Sequence, residues 1–146
     1  MAGGLLLVGG EHVSELGLND AELAMLLAHE IAHSVLLHNL REAEEAIRLD
    51  PAWSRRPYAE LEHAIDNDGS LMRALGGFNA ACEEEADREG MRLAWRAGWP
   101  AEALAGYFRK LARNSRSPNL SSAEHPSPNA RWQAARALAR QLDAAR

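Results

Sequence analysis

The longest run of apolar positions is Leu23 to Leu37, LAMLLAHEIAHSVLL, in which Ala, Leu, Met, Ile and Val occupy nearly every side of a 3.6-residue repeat. That pattern predicts a buried helix, opened by the capping-box pair Asn19 and Glu22 with Asp20 and Glu22 at its positive end. After Leu40 the apolar spacing fades into REAEEAIRLD, helical but solvated, with a stop at Asp50-Pro51. Residues 51–77 read as a variable excursion, with a helix near Tyr58 to Ile65 and turns at Asp66 to Gly69 and at Gly76-Gly77. Strong helical spacing returns from Asn79 to Ala97, closed by Gly98. Pro100 opens a further helix to about Arg113, a Ser-, Asn- and Pro-rich loop covers 114–128, and Ser127 caps a last amphipathic helix from Pro128 to Ala144. Gly3 to Gly10, GGLLLVGG, has the short apolar run of a buried or edge strand. The expectation is a mainly α (α+β) fold with a small N-terminal β element, in one domain over residues 1–146.

Four polar side chains interrupt the buried helix: His29, Glu30, His33 and Ser34. The first three form an HExxH motif. Residues four apart stand one above the other on a helix, so the two imidazoles share a face with Glu30 beside them. Buried together they are costly unless something satisfies them. A zinc ion taking both imidazoles would do so and leave Glu30 free to handle a proton. Two core histidines with ordinary hydrogen-bond partners are the bland alternative.

Composition narrows the chemistry. The single cysteine, Cys82, excludes an internal disulfide and a cysteine-based zinc cluster, so a metal here rests on His and carboxylate. No apolar run reaches membrane-spanning length, and Met1 to Gly10 lacks the charged start of a signal peptide. Residues 1–90 hold 18 acids against 6 bases and residues 91–146 hold 3 against 10, giving −12 and +7. The basic third carries no interleaved aromatics or known binding motif, so it reads as a solvated face complementing the acidic part, and no nucleic-acid partner is expected.

Catalytic zinc takes three protein ligands and keeps one position open. The third ligand has to come from Glu83, Glu84, Glu85, Asp87, His38 or His63. His38, five residues past His33, falls about 140 degrees round a continuous helix and is not expected to share its ion. Glu83, Ala86, Asp87, Gly90 and Ala94 line one face of the later helix, whose small residues admit a close neighbour. Glu83 can then reach the metal while Asp87, one turn on, accepts a hydrogen bond from a ligand histidine.

HEIAH followed fifty residues later by EEEADREG resembles the zinc metallopeptidase family that includes HtpX, the CAAX prenyl endopeptidase and the periplasmic protease BepA, a group of gluzincins. GGLLLVGGEHVSEL and NDAELAMLLAHEIAH are similar to that family's edge strand and active-site helix, and EHPSPNAR to its His-Pro element followed by an arginine. The resemblance implies a zincin-like domain with one zinc per chain, His29, His33 and Glu83 as ligands, Glu30 as general base and Asp87 in support. It also implies that His125 lies near the metal and Arg131 in the outer part of the site. Relatives have more chain before the edge strand, so an N-terminal part of the family domain is expected to be missing. The periplasm or cell envelope is suggested by the resemblance alone.

The implied activity is peptide-bond hydrolysis, with Glu30 taking a proton from the attacking water. Peptides or unfolded and damaged proteins are the expected partners, bound extended along the edge of the Leu5 to Val8 strand. A catalytically latent or truncated binding domain with the same shape is the alternative. A di-iron carboxylate bundle would use Glu30-x-x-His33 with Glu60-x-x-His63, but it leaves His29 without a role.

Overall fold

The computed structural model describes residues 6, 8–123 and 125–145. Seven α-helices follow in order: α1 Gly10–Leu16, α2 Asp20–Val35, α3 His38–Leu49, α4 Tyr58–Asn67, α5 Gly69–Arg96, α6 Ala101–Asn114 and α7 Pro128–Ala144. A 3-10 turn, Pro51–Arg55, joins α3 to α4. The fold is mainly α, and no strand occurs among the described residues. Of the strand expected over Gly3 to Gly10, residues 3–5 and 7 lie outside the described ones, while Leu6, Val8 and Gly9 are in no strand and Gly10 opens α1.

Capping chemistry sets the boundaries. Asn19 accepts from the Glu22 amide while Glu22 accepts from the Asn19 amide, the reciprocal pair that starts α2. Asp68 takes the Ser70 and Leu71 amides at the head of α5, and Ser127 takes the Ala130 amide at the head of α7.

α5 therefore begins ten residues before Asn79 and runs straight through Gly76-Gly77, where the sequence suggests a turn. Leu71 and Leu75, four apart and buried, carry the helix across. Gly76 serves a close approach instead: a Cβ there would lie 2.7 Å from the Ala123 carbonyl oxygen.

Two apolar clusters hold the chain. The main one joins Met25, Leu26, Met91, Leu104 and Phe108, all buried, with Ala135 and Ala139 of α7. Burying a side chain such as Phe108 contributes about 1.5–3 kcal/mol. The second cluster packs Ala43, Ala46, Leu61, Leu71 and Leu75, so α3 and, from the excursion, α4 fold over the first half of α5.

Helix α2 packs on α5 and α6, but it is not buried all round. Ile31 and Val35 are 43% and 71% exposed, because neighbours cover only its inner face, that of Met25, Ala28, His29 and Ala32. The contact with α5 is very close. A Cβ on Gly90 would stand 2.9 Å from the His29 Cα, so only a hydrogen fits between the backbones there. This crossing brings the HExxH residues against the acidic face of α5.

Candidate metal centre

His29 Nε2 and His33 Nε2 lie 3.0 Å apart, one helical turn separating their residues. Glu83 of α5 faces both, with Oε1 3.0 Å from His33 Nε2 and Oε2 3.5 Å from His29 Nε2. These three groups offer ligand atoms that all lie within 4.8 Å of one another.

The opposite nitrogens fix what the inner ones can do. His29 Nδ1 is 2.8 Å from Asp87 Oδ1, and an ionised carboxylate only accepts, so Nδ1 carries the proton and Nε2 a free lone pair. His33 Nδ1 is likewise engaged, at 2.7 Å from His38 Nδ1. Two imidazole lone pairs and a carboxylate converging on one point suit a divalent cation. In a tetrahedral site with metal–nitrogen bonds of about 2.0–2.1 Å, neighbouring nitrogens stand roughly 3.3 Å apart. The donor set fits a metal ion without rearrangement of the helices.

Glu83 and Asp87 are like charges one turn apart, an unfavourable pair on an isolated helix. Arg131 of α7 offsets this. It grips Asp87 with two bonds, Nε to Oδ2 and Nη2 to Oδ1, each 2.7 Å, and its Nη2 stands 3.8 Å from Glu83 Oε2. Its guanidinium also lies over the Phe108 ring. Burial alone would lower the Arg131 pKa, but the bonds to Asp87 and the charge of Glu83 raise it, so the cation is secure. An arginine in the first turn opposes the helix dipole, and Asp87 is its compensating acid.

His125, half exposed on the loop before α7, has Nδ1 3.0 Å from Glu83 Oε2. Burial pushes the Glu83 carboxyl upward, yet when protons rather than a cation sit on the facing rings, hydrogen bonds from His125 and His33 and the nearby charge of His29 outweigh it and hold it well below the usual carboxylate range.

Glu30 lies in a cleft of about 300 Å³ that also touches His29, Glu83, His125, Arg131 and Tyr107, with Val8 and Gly9 at its edge. Burial pushes the Tyr107 hydroxyl up to about 12, so it remains a neutral donor at physiological pH, 3.5 Å from His12 Nε2.

All seven residues singled out in the sequence, His29, Glu30, His33, Glu83, Asp87, His125 and Arg131, thus lie in one neighbourhood. Glu60 and His63 do not join it: Glu60 is paired with Arg56, His63 meets Asn67, and both are exposed on α4. His38 stays outside the donor set, as expected, but for a different reason. α2 ends at Val35, and Leu37 takes a left-handed conformation with φ 56°, so a continuous-helix angle does not apply. The chain doubles back, α3 starts at His38, and its ring reaches the outer side of His33 while its Nε2 bonds Glu85 at 2.9 Å. Arg41 binds the same Glu85 oxygen at 2.9 Å.

Helical architecture of the zincin-like kind, with a His-His-Glu cluster in a cleft, defines the metallopeptidase class of domain. The description "Peptidase family M48" matches residues 11–139, and the chain belongs to that family. It is similar to the beta-barrel assembly-enhancing protease of Yersinia pestis, 32% identical over 138 aligned residues covering 85% of this chain and 28% of the relative. The protein of the same name from Escherichia coli strain K12 is 30% identical over 138 residues, with the same coverage of 85% and 28%. A putative one from Vibrio cholerae is 31% identical over 137 residues, 84% of this chain and 28% of its own. The chain thus spans little more than a quarter of the length of these curated relatives. No solved structure gives a significant match. Among the described residues, no helix is long and apolar enough to cross a membrane.

Proposed function

We propose that this domain is a zinc-dependent metalloendopeptidase, with His29, His33 and Glu83 holding one zinc ion and Glu30 acting as general base. The observation that carries the reading is the inward-facing pair of imidazole nitrogens 3.0 Å apart beside the Glu83 carboxylate. Bound between them, zinc would supply Lewis acidity to water and to the scissile carbonyl.

The protein's own groups do the rest. Glu30, next to a ligand histidine and open to the cleft, takes the proton of the attacking water and delivers it to the departing amine nitrogen. Asp87 keeps the His29 ring turned so that Nε2 points inward. Arg131 holds Asp87 and positions rather than touches substrate, while His125, half exposed at the cleft, offers a donor to a carbonyl oxygen as charge develops. Peptides or unfolded protein segments are the substrates proposed. The relatives' name associates them with β-barrel assembly, which favours envelope proteins that fail to assemble as the class and the cell envelope as the compartment.

Glu30→Gln is expected to retain one zinc per chain and to lose cleavage of unfolded casein by about 10²- to 10⁴-fold. Cleavage at the original rate in that variant would remove Glu30 from its role. One zinc in the parent protein without any chelator-sensitive cleavage would mark the latent, binding-domain alternative.

A further inference from the structure

His38 is among the groups that the proposed chemistry does not use, yet it is 3% exposed and both its ring nitrogens are taken. Nε2 lies 2.9 Å from Glu85 Oε2 and Nδ1 lies 2.7 Å from His33 Nδ1. Proton positions along this line can be counted from its outer end. Arg41 keeps Glu85 ionised, and the carboxylate only accepts, so His38 Nε2 carries a proton. A neutral His38 then has a bare Nδ1, which accepts from His33 Nδ1–H. His33 is left with a lone pair on Nε2, the nitrogen that faces Glu83 and His29.

We propose that His38 is a positioning residue for the metal centre: a line from Arg41 through Glu85 and His38 fixes the tautomer and ring orientation of His33, as Asp87 does for His29. The inference rests on the metal-site reading above. Each ligand histidine then has its own anchor, one a carboxylate held by Arg131 and the other an imidazole backed by a carboxylate held by Arg41. Neutral imidazole is a weaker acceptor than carboxylate, so the Glu85 charge behind it strengthens the bond that His33 donates. His38 is not itself a ligand, because it has no nitrogen left to give.

Two substitutions separate positioning from filling space. The amide oxygen introduced by His38→Asn would stand near the original Nδ1 and can accept from His33. His38→Gln reaches toward Glu85 and leaves His33 Nδ1 without its acceptor. Zinc affinity, measured by competition with a chelating dye, is expected to fall about 10- to 100-fold in His38→Gln and His38→Ala and only a few-fold in His38→Asn. Histidine nitrogen NMR of the zinc-loaded protein is expected to show the His33 Nδ1–H in a hydrogen bond in the parent and in His38→Asn, and to lose that bond in His38→Gln. Urea unfolding of every variant checks the fold, and the asparagine and glutamine pair carries the test should His38→Ala not fold. Equal affinity in those two variants, or a His33 Nδ1–H that is unchanged in zinc-loaded His38→Gln, overturns the proposal alone. A parent chain that binds no zinc overturns it together with the function reading.

Discussion

Gly90→Ala tests the helix crossing on which the whole site stands. A Cβ at position 90 would meet His29 Cα and N at 2.9 Å and the Ala28 carbonyl carbon at 3.0 Å, where ordinary contact begins at 3.4 Å. Every atom in the way is backbone, so no side chain can rotate aside, and α2 must move off α5 by about 0.5 Å. Overpacking of this kind costs about 1–3 kcal/mol, and alanine returns about 0.5–1 kcal/mol of helix propensity, for a net loss of up to about 2.5 kcal/mol. The metal-free protein should show this as a lower urea midpoint with an unchanged slope. Because His29 moves with its helix, the 2.8 Å bond to Asp87 stretches and zinc affinity falls in the same variant. A Gly90→Ala protein as stable as its parent and equally tight for zinc would show that the backbones are not in contact at this point.

Leu37 is 57% exposed and held at φ 56°, which costs a branched side chain about 1–2 kcal/mol. Leu37→Gly gives back about half of that in unfolded-state entropy and should gain roughly 0.5–1 kcal/mol by urea unfolding; a loss would mean that the leucine side chain matters more than its backbone. The Glu85 carboxyl is lowered by hydrogen bonds from His38 and Arg41, and Glu83 is lowered against burial by His125 and His33. Between its ordinary value of 4.5 and its lower folded value, each carboxyl binds more protons unfolded than folded. The metal-free domain is therefore expected to keep this stability above about pH 4.5 and lose it as pH falls through the folded values. Urea midpoints measured from pH 6 downward should hold to about pH 4.5 and decline below it, less so in Glu85→Gln, and a flat profile below about pH 4.5 would contradict the assignment.

Where single helices and their caps decide the outcome, the sequence was readable. Asn19 with Glu22, Ser127 before Pro128, and the apolar run from Leu23 each act through neighbours three or four residues away, and α2 and α7 follow them. His29 and His33 share a face for the same local reason, and the small residues Ala86, Gly90 and Ala94 announce a close neighbour for α5. Gly76-Gly77 misled because glycine marks two different needs. Local pattern cannot tell a turn from a helix approached by a carbonyl 47 residues away in sequence, that of Ala123. The position of His38 was hidden for a related reason. A run of leucines gives no local warning that one of them, Leu37, adopts a left-handed conformation, since packing on both sides of the break imposes it. Once the helix is taken as continuous, the ring that supports His33 falls on the wrong side of it.

The cation that balances Asp87 lies on the last helix, 44 residues further along the chain. Ribosomal synthesis runs from one end, so His29, His33, Glu83 and Asp87 all emerge before Arg131 is made. The nascent polypeptide therefore possesses the proposed metal donors while two carboxylates on α5 still repel each other without their guanidinium. Docking of α7 is the step that supplies it, so completion of the site waits, by order of birth, on that helix.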